Sequence, residues 1–204
     1  MAGAGMAPRG MTTRARTLWR RALLLLALLA CCTVVLAADA LTGGALVVYG
    51  VQPRSTIGLR GIVFAPFLHG GWGHLAANSV PFLTLGGLIL LHDVRRFATV
   101  SLFAMVGAGL AAWLLGAPRS VHIGASGVVF GYLGFLLAHG WFAKRLGSAL
   151  LSVAIAVIWG GLLFGVLPGQ PGMSWESHAG GLVGGLYAAR QAGPGRQRRS
   201  PRRR

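Results

Sequence analysis

Acidic residues are almost missing from this chain. It has three, Asp39, Asp93 and Glu176, among 204 residues, against 19 Lys and Arg. Charged residues of either sign make up 11% of the total, where an ordinary soluble domain carries about 25%. A surface so poor in charge is incompatible with a water-soluble globular enzyme. A hydrophobic content of 54% excludes a disordered chain just as firmly. Three scattered carboxylates leave no cluster for a divalent cation and little prospect of a pair of catalytic acids, so no metal site is expected. Cysteine is scarce too: Cys31 and Cys32 are adjacent in an apolar run and cannot cross-link distant elements. They read as small apolar filler. Leu28-Leu29-Ala30-Cys31 and Val35–Ala40 are weak alternatives, as signals for processing of the first span.

What the chain has instead is apolar runs long enough to cross a bilayer, which takes about 20 residues each. Six can be marked, at about 21–38, 73–92, 97–116, 124–142, 147–167 and 175–190. An open sheet would leave its edge groups unsatisfied in lipid, so the expected fold is all-α: a polytopic bundle of six transmembrane helices. The expected organisation is a basic N-terminal segment over 1–20, a membrane domain over 21–190 and a disordered basic tail over 191–204. Placing both termini in the cytoplasm puts sixteen of the basic residues on that side and only Arg54, Arg60 and Arg119 outside. The basic excess therefore reads as a topology signal, with an added attraction of the tail to anionic lipid and no nucleic-acid role.

The polar residues within these runs are concentrated where helices two, four and six begin, all on the outer side in this topology. Helix two opens on His69-Gly-Gly-Trp-Gly-His74-x3-Asn78, helix four on Gly124-Ala-Ser126-Gly127, and helix six on Ser177-His178. Taken singly, each has an ordinary explanation as an interfacial histidine, an interhelical hydrogen bond or a close helix contact. Together, at similar depth on alternate helices, they hold the parts of an acyl-transfer site. Ser126 supplies a hydroxyl nucleophile and His178 a base. His74 and Asn78 supply oxyanion donors, joined by the Ser126 backbone N–H at a helix N-terminus. For Ser126 to touch His178, helices four and six must approach closely. Gly127 and Gly131 on one and Gly181 and Gly185 on the other form small-xxx-small faces for that contact. Phe130, one turn below Ser126, is placed to stack under the imidazole of His178.

These motifs resemble those of the rhomboid intramembrane serine proteases, in order, spacing and membrane side, from about Phe64 to Arg190. The resemblance implies a six-helix fold and a Ser126–His178 dyad in a water-filled cavity open to the outside. It also implies cofactor-free cleavage of membrane-anchored proteins near helix-weakening segments. By motif position His74 and Asn78 match the oxyanion residues, and His69 a structural histidine of the loop entering helix two. Phe130 matches the aromatic position that supports the histidine, and Gly124 and Gly127 flank the nucleophile. The first loop departs from the pattern: it is short and has no clear Trp-Arg pair, with only Arg60 near that place. The acid expected at the inner end of helix two has only Asp93 as a loose candidate.

The acid count discriminates further. Aspartyl intramembrane proteolysis needs two acids within the spans, and zinc chemistry a motif such as H-E-x-x-H; neither is present. Glu176 sits two residues before His178 on a different helical face, so a dyad is expected rather than a triad. A catalytically silent relative that binds or routes transmembrane clients is the alternative, and a small transporter ranks last. The Ala/Gly/Arg-rich usage places the chain in a bacterial plasma membrane. The sequence leaves the oligomeric state open.

Overall fold

The computed structural model describes residues 12–192. Its architecture is all-helical, and among the described residues the only β-pairing is an isolated antiparallel bridge between Val51 and His122. Six long helices form the bundle: α1 Thr13–Leu41, α2 Trp72–His92, α3 Val94–Leu115, α4 Ser126–Ala143, α5 Leu146–Trp159 and α6 Trp175–Gln191. A 3₁₀ segment, Gly160–Val166, continues α5. Among the described residues five helices are long and apolar enough to span a bilayer: α1 to α4, and α5 together with its 3₁₀ extension. The sixth, α6, has 17 residues, about 26 Å of helix. It is glycine-rich and packs mainly against α3 and α4.

One expected boundary, at 21, meets a continuous helix. Of the basic segment assigned to 1–20, residues 13–20 are helical, since Thr12 caps α1 by accepting from the Ala15 N–H and the helix runs on from Thr13. Arg14, Arg16, Arg20 and Arg21 thus ride on the first turns of the first span, and the domain boundary expected at 21 falls inside a continuous helix. Residues 1–11, and 193–204 of the tail expected to be disordered, lie outside the described residues.

Glycine sets how closely the central helices approach. A Cβ on Gly181 would run into the carbonyl oxygen of Gly127, and one on Gly185 into that of Gly131. The other side of α6 is equally tight: Gly180 lies against the Gly107 carbonyl and Gly184 against that of Phe103. This second contact, with α3, was not anticipated from the sequence. Below it lies the apolar core, with Leu85, Ile89, Val100, Ala104, Leu133 and Ala189 all buried. Tyr132 is buried among them, between Phe82 and Phe97, with its hydroxyl 2.8 Å from Ser101 Oγ. It links α4 to α3.

The connection from 42 to 71 is a series of short helical turns tied down at both ends. Asp39 accepts the Leu46 N–H at 2.7 Å. Arg54 donates to the carbonyls of Leu114 and Gly116, and the Trp113 indole N–H donates to Ser55 O. Arg54 thus fastens this loop to the end of α3, while Arg60 lies over the Tyr49 ring, 4.4 Å from its centroid. Asp93 caps α3 by accepting the Arg95 N–H at 3.1 Å.

Candidate active site

Ser126 is the first residue of α4, His74 and Asn78 lie in the first two turns of α2, and His178 lies in the first turn of α6. All four line one cavity of about 740 Å³ at the end of the bundle that carries the 42–71 connection. The stretch from Gly161 to Ser174 closes part of its wall.

Ser126 Oγ lies 2.8 Å from His178 Nε2, and His178 Nδ1 lies 2.8 Å from the carbonyl oxygen of Gly165. A carbonyl only accepts, so Nδ1 carries the proton and donates it. In the neutral ring Nε2 is then the lone-pair nitrogen, facing the serine hydroxyl. This is the tautomer a general base requires. Phe130 stacks on the imidazole with ring centroids 4.1 Å apart and planes 7° from parallel. His178 is therefore fixed in plane by a hydrogen bond and out of plane by a ring, and it is only 5% exposed. Glu176 makes no bond to it; its carboxylate lies near Ser174 Oγ instead.

The same reasoning fixes His74. Its Nδ1 accepts the Gly70 N–H at 3.2 Å, so in the neutral ring the proton is on Nε2, available to donate. The Nε2 edge occupies the space above Gly124, where a Cβ would stand 2.8 Å from it and 3.7 Å from Ser126 Oγ. Gly124 has φ +117°, a backbone region closed to other residues, so it both makes the turn into α4 and leaves room for this ring. Asn78, 6% exposed, commits one amide hydrogen to the His74 carbonyl at 2.9 Å and keeps the other. The Ser126 N–H, in the first turn of α4, has no intrahelical partner.

His69 is 2% exposed and stands edge-on to His74, with centroids 5.1 Å apart. Its Nε2 accepts the Ala125 N–H at 3.5 Å, the residue immediately before the serine. Burial, reinforced by the neighbouring His74, pushes its pKa down to about 4, so it is neutral at physiological pH. Gly127, Gly131, Gly181 and Gly185 lie outside this cavity and act by holding α4 and α6 together.

Two contributors had escaped the sequence. Gly165 acts through a backbone carbonyl, which leaves no residue-type signature. A Cβ there would lie 2.8 Å from Phe130 Cζ and 3.2 Å from His178 Nδ1, so its smallness gives the only signal. His122 is the second. One ring nitrogen lies 2.8 Å from Ser120 Oγ and the other 2.5 Å from Ser174 Oγ, and Ser174 caps α6 by accepting the Ser177 N–H. Its backbone pairs with Val51 in both directions. His122 therefore joins the 42–71 connection, the approach to the serine and the cap of the histidine helix. Burial lowers its pKa and the Glu176 carboxylate opposes that shift. A lone loop histidine carries no pattern that would have revealed this.

Comparison with known proteins agrees on one family. Residues 56–193 match the Rhomboid domain. An uncharacterized protein of Mycobacterium tuberculosis is 41% identical over 159 residues, covering 74% of this chain and 66% of its own length. A rhomboid protease of Bacillus subtilis is 30% identical over 157 residues, 72% of this chain and 29% of its own. A rhomboid-like protease of Toxoplasma gondii is 33% identical over 131 residues, 61% of this chain and 15% of its own. The chain thus spans just under two thirds of the mycobacterial relative and much less of the other two.

Proposed function

The chain belongs to the rhomboid family, and on that premise we propose that it is an intramembrane serine endopeptidase cleaving membrane-anchored proteins. The observation that carries this reading is the chain of contacts Ser126 Oγ–His178 Nε2 and His178 Nδ1–Gly165 O, each 2.8 Å. Ser126 Oγ attacks the scissile carbonyl carbon as its proton passes to His178 Nε2. The oxyanion so formed accepts from the Ser126 N–H, His74 Nε2–H and the uncommitted Asn78 N–H. His178 then returns the proton to the leaving amine, and water hydrolyses the ester on Ser126 by the same base. The imidazolium formed midway is supported by the Gly165 carbonyl dipole and the Phe130 face, with no carboxylate bonded to it.

The charge asymmetry supports an orientation in which the basic end faces the cytoplasm and the cavity opens outward, in a bacterial plasma membrane. The basic tail then lies against anionic lipid of the inner leaflet.

The reading is tested with the purified full chain in liposomes and a single-pass reporter protein. Cut reporter with its cleavage point near the outer interface is the expected product, and an intact reporter that stays bound would mark a silent client-binding relative. Asn78→Ala should lower kcat by about ten- to a thousand-fold, the range for losing one oxyanion donor. An unchanged rate would remove Asn78 from that role.

A further inference from the structure

At the opposite end of the bundle from Ser126 lies a second polar cavity, of about 180 Å³. His92 at the end of α2, Arg96 in the first turn of α3, His139 near the end of α4, and Arg145 and Ser148 at the start of α5 line it. Four different helices thus bring two guanidiniums, two imidazoles and a hydroxyl to one space.

Among the described residues no acid pairs with this cluster. Asp39 and Glu176 are at the other end of the bundle, and Asp93, the one acid nearby, caps α3 through the Arg95 N–H. Neither Arg96 nor Arg145 has an ion pair or side-chain hydrogen bond among the described residues. His139 stacks on Phe135, centroids 5.1 Å apart, and its Nδ1 is buried with no partner. Bringing like charges together around a cavity is unfavourable unless an anion balances them.

The surroundings say where that anion comes from. Trp141 is 83% exposed and Leu146 is 77% exposed, on either side of Lys144 and Arg145. An outward tryptophan beside basic residues marks the headgroup level of a bilayer. Along α5 only Ile155 is buried, while Leu150, Val153 and Val157 face outward, a continuous apolar surface below the cavity.

We propose that this cavity holds the phosphate of an anionic phospholipid from the adjoining leaflet. Arg96 and Arg145 pair with the phosphate, Ser148 donates to it, and the acyl chains lie along α5. The site is separate from the cleavage chemistry.

The test uses the purified full chain in neutral detergent, with the thermal midpoint followed against added dihexanoyl phosphatidylglycerol, dihexanoyl phosphatidylcholine or inorganic phosphate. Phosphatidylglycerol should stabilise the wild type at concentrations about tenfold lower than either of the others. R96Q/R145Q should weaken that response about tenfold or more, at roughly fivefold per cationic side chain. Replacing Arg198, Arg199, Arg202 and Arg203 by Gln should leave it unchanged. If the double variant does not fold, Arg145→Gln alone, an exposed position, should give about a fivefold loss. An unaltered response in the Arg variants, or a loss confined to the tail variant, overturns the site. Equal stabilisation by inorganic phosphate, lost with Arg96 and Arg145, overturns the lipid as its source.

Discussion

Ser126→Ala should reduce reporter cleavage by about 10⁴-fold or more and abolish labelling by a fluorophosphonate probe. The magnitude follows from removing the nucleophile while leaving the donors: oxyanion stabilisation and binding alone retain only a small part of such an enzyme's rate enhancement. The hydroxyl deleted is the one 2.8 Å from His178 Nε2. Alanine is compatible with the first position of α4, since Ser126 caps nothing and the helix is held by its buried face. The fold should therefore survive, and an unchanged thermal midpoint separates loss of chemistry from loss of structure. Cleavage at the wild-type rate, or labelling that persists, would place the nucleophile elsewhere.

Gly181→Ala should cost about a hundredfold in cleavage and lower the thermal midpoint by several degrees, although it adds a single methyl group. That methyl would be driven into the Gly127 carbonyl oxygen, a backbone atom that cannot swing aside. Helices α4 and α6 must separate, and the Ser126–His178 distance is set by that same contact. Overpacking of this kind costs about 1–3 kcal/mol, and a displacement of about 1 Å at a reacting pair can cost about 10²-fold. Gly147 on α5 supplies the matched control. It has open space where the methyl would go, so Gly147→Ala gains helix propensity and should be neutral or slightly stabilising. Equal behaviour of the two variants would show that the α4–α6 contact does not set the geometry.

The bundle was legible because spanning helices are long, apolar and bounded by charge. The α2 end at His92–Asp93 and the α4 end at Ala143–Lys144 fall within a residue or two of where composition changes. The start of α1 was not, because arginines near a membrane surface are as compatible with helix as with coil, and the helix begins at Thr13, eight residues before the apolar run. Around the cavity, Ser126, His178, His74 and Asn78 stood out because three polar clusters fall together at similar depth on alternate spans, although each alone has an ordinary explanation. Hydropathy could not reveal the packing of α6 on α3, for glycine at 180 and 184 is spaced no differently from glycine at 181 and 185. Only the three-dimensional path shows that both faces are in use. His122 and the Gly165 carbonyl were hidden for a related reason: each matters through a partner about 50 or 13 positions away.

The acceptor that orients His178, the proposed general base, is a peptide oxygen, and this changes how the site is exposed to mutation. Where an aspartate holds the histidine, one codon change removes the acceptor. Here every amino acid at position 165 brings the same carbonyl, so no substitution can delete it, and only added bulk can displace it. On the proposed mechanism the genetic target for losing the chemistry outright is correspondingly small, Ser126 and His178. The orientation of the base is inherited with the course of the backbone and needs no carboxylate, in a chain that has only three.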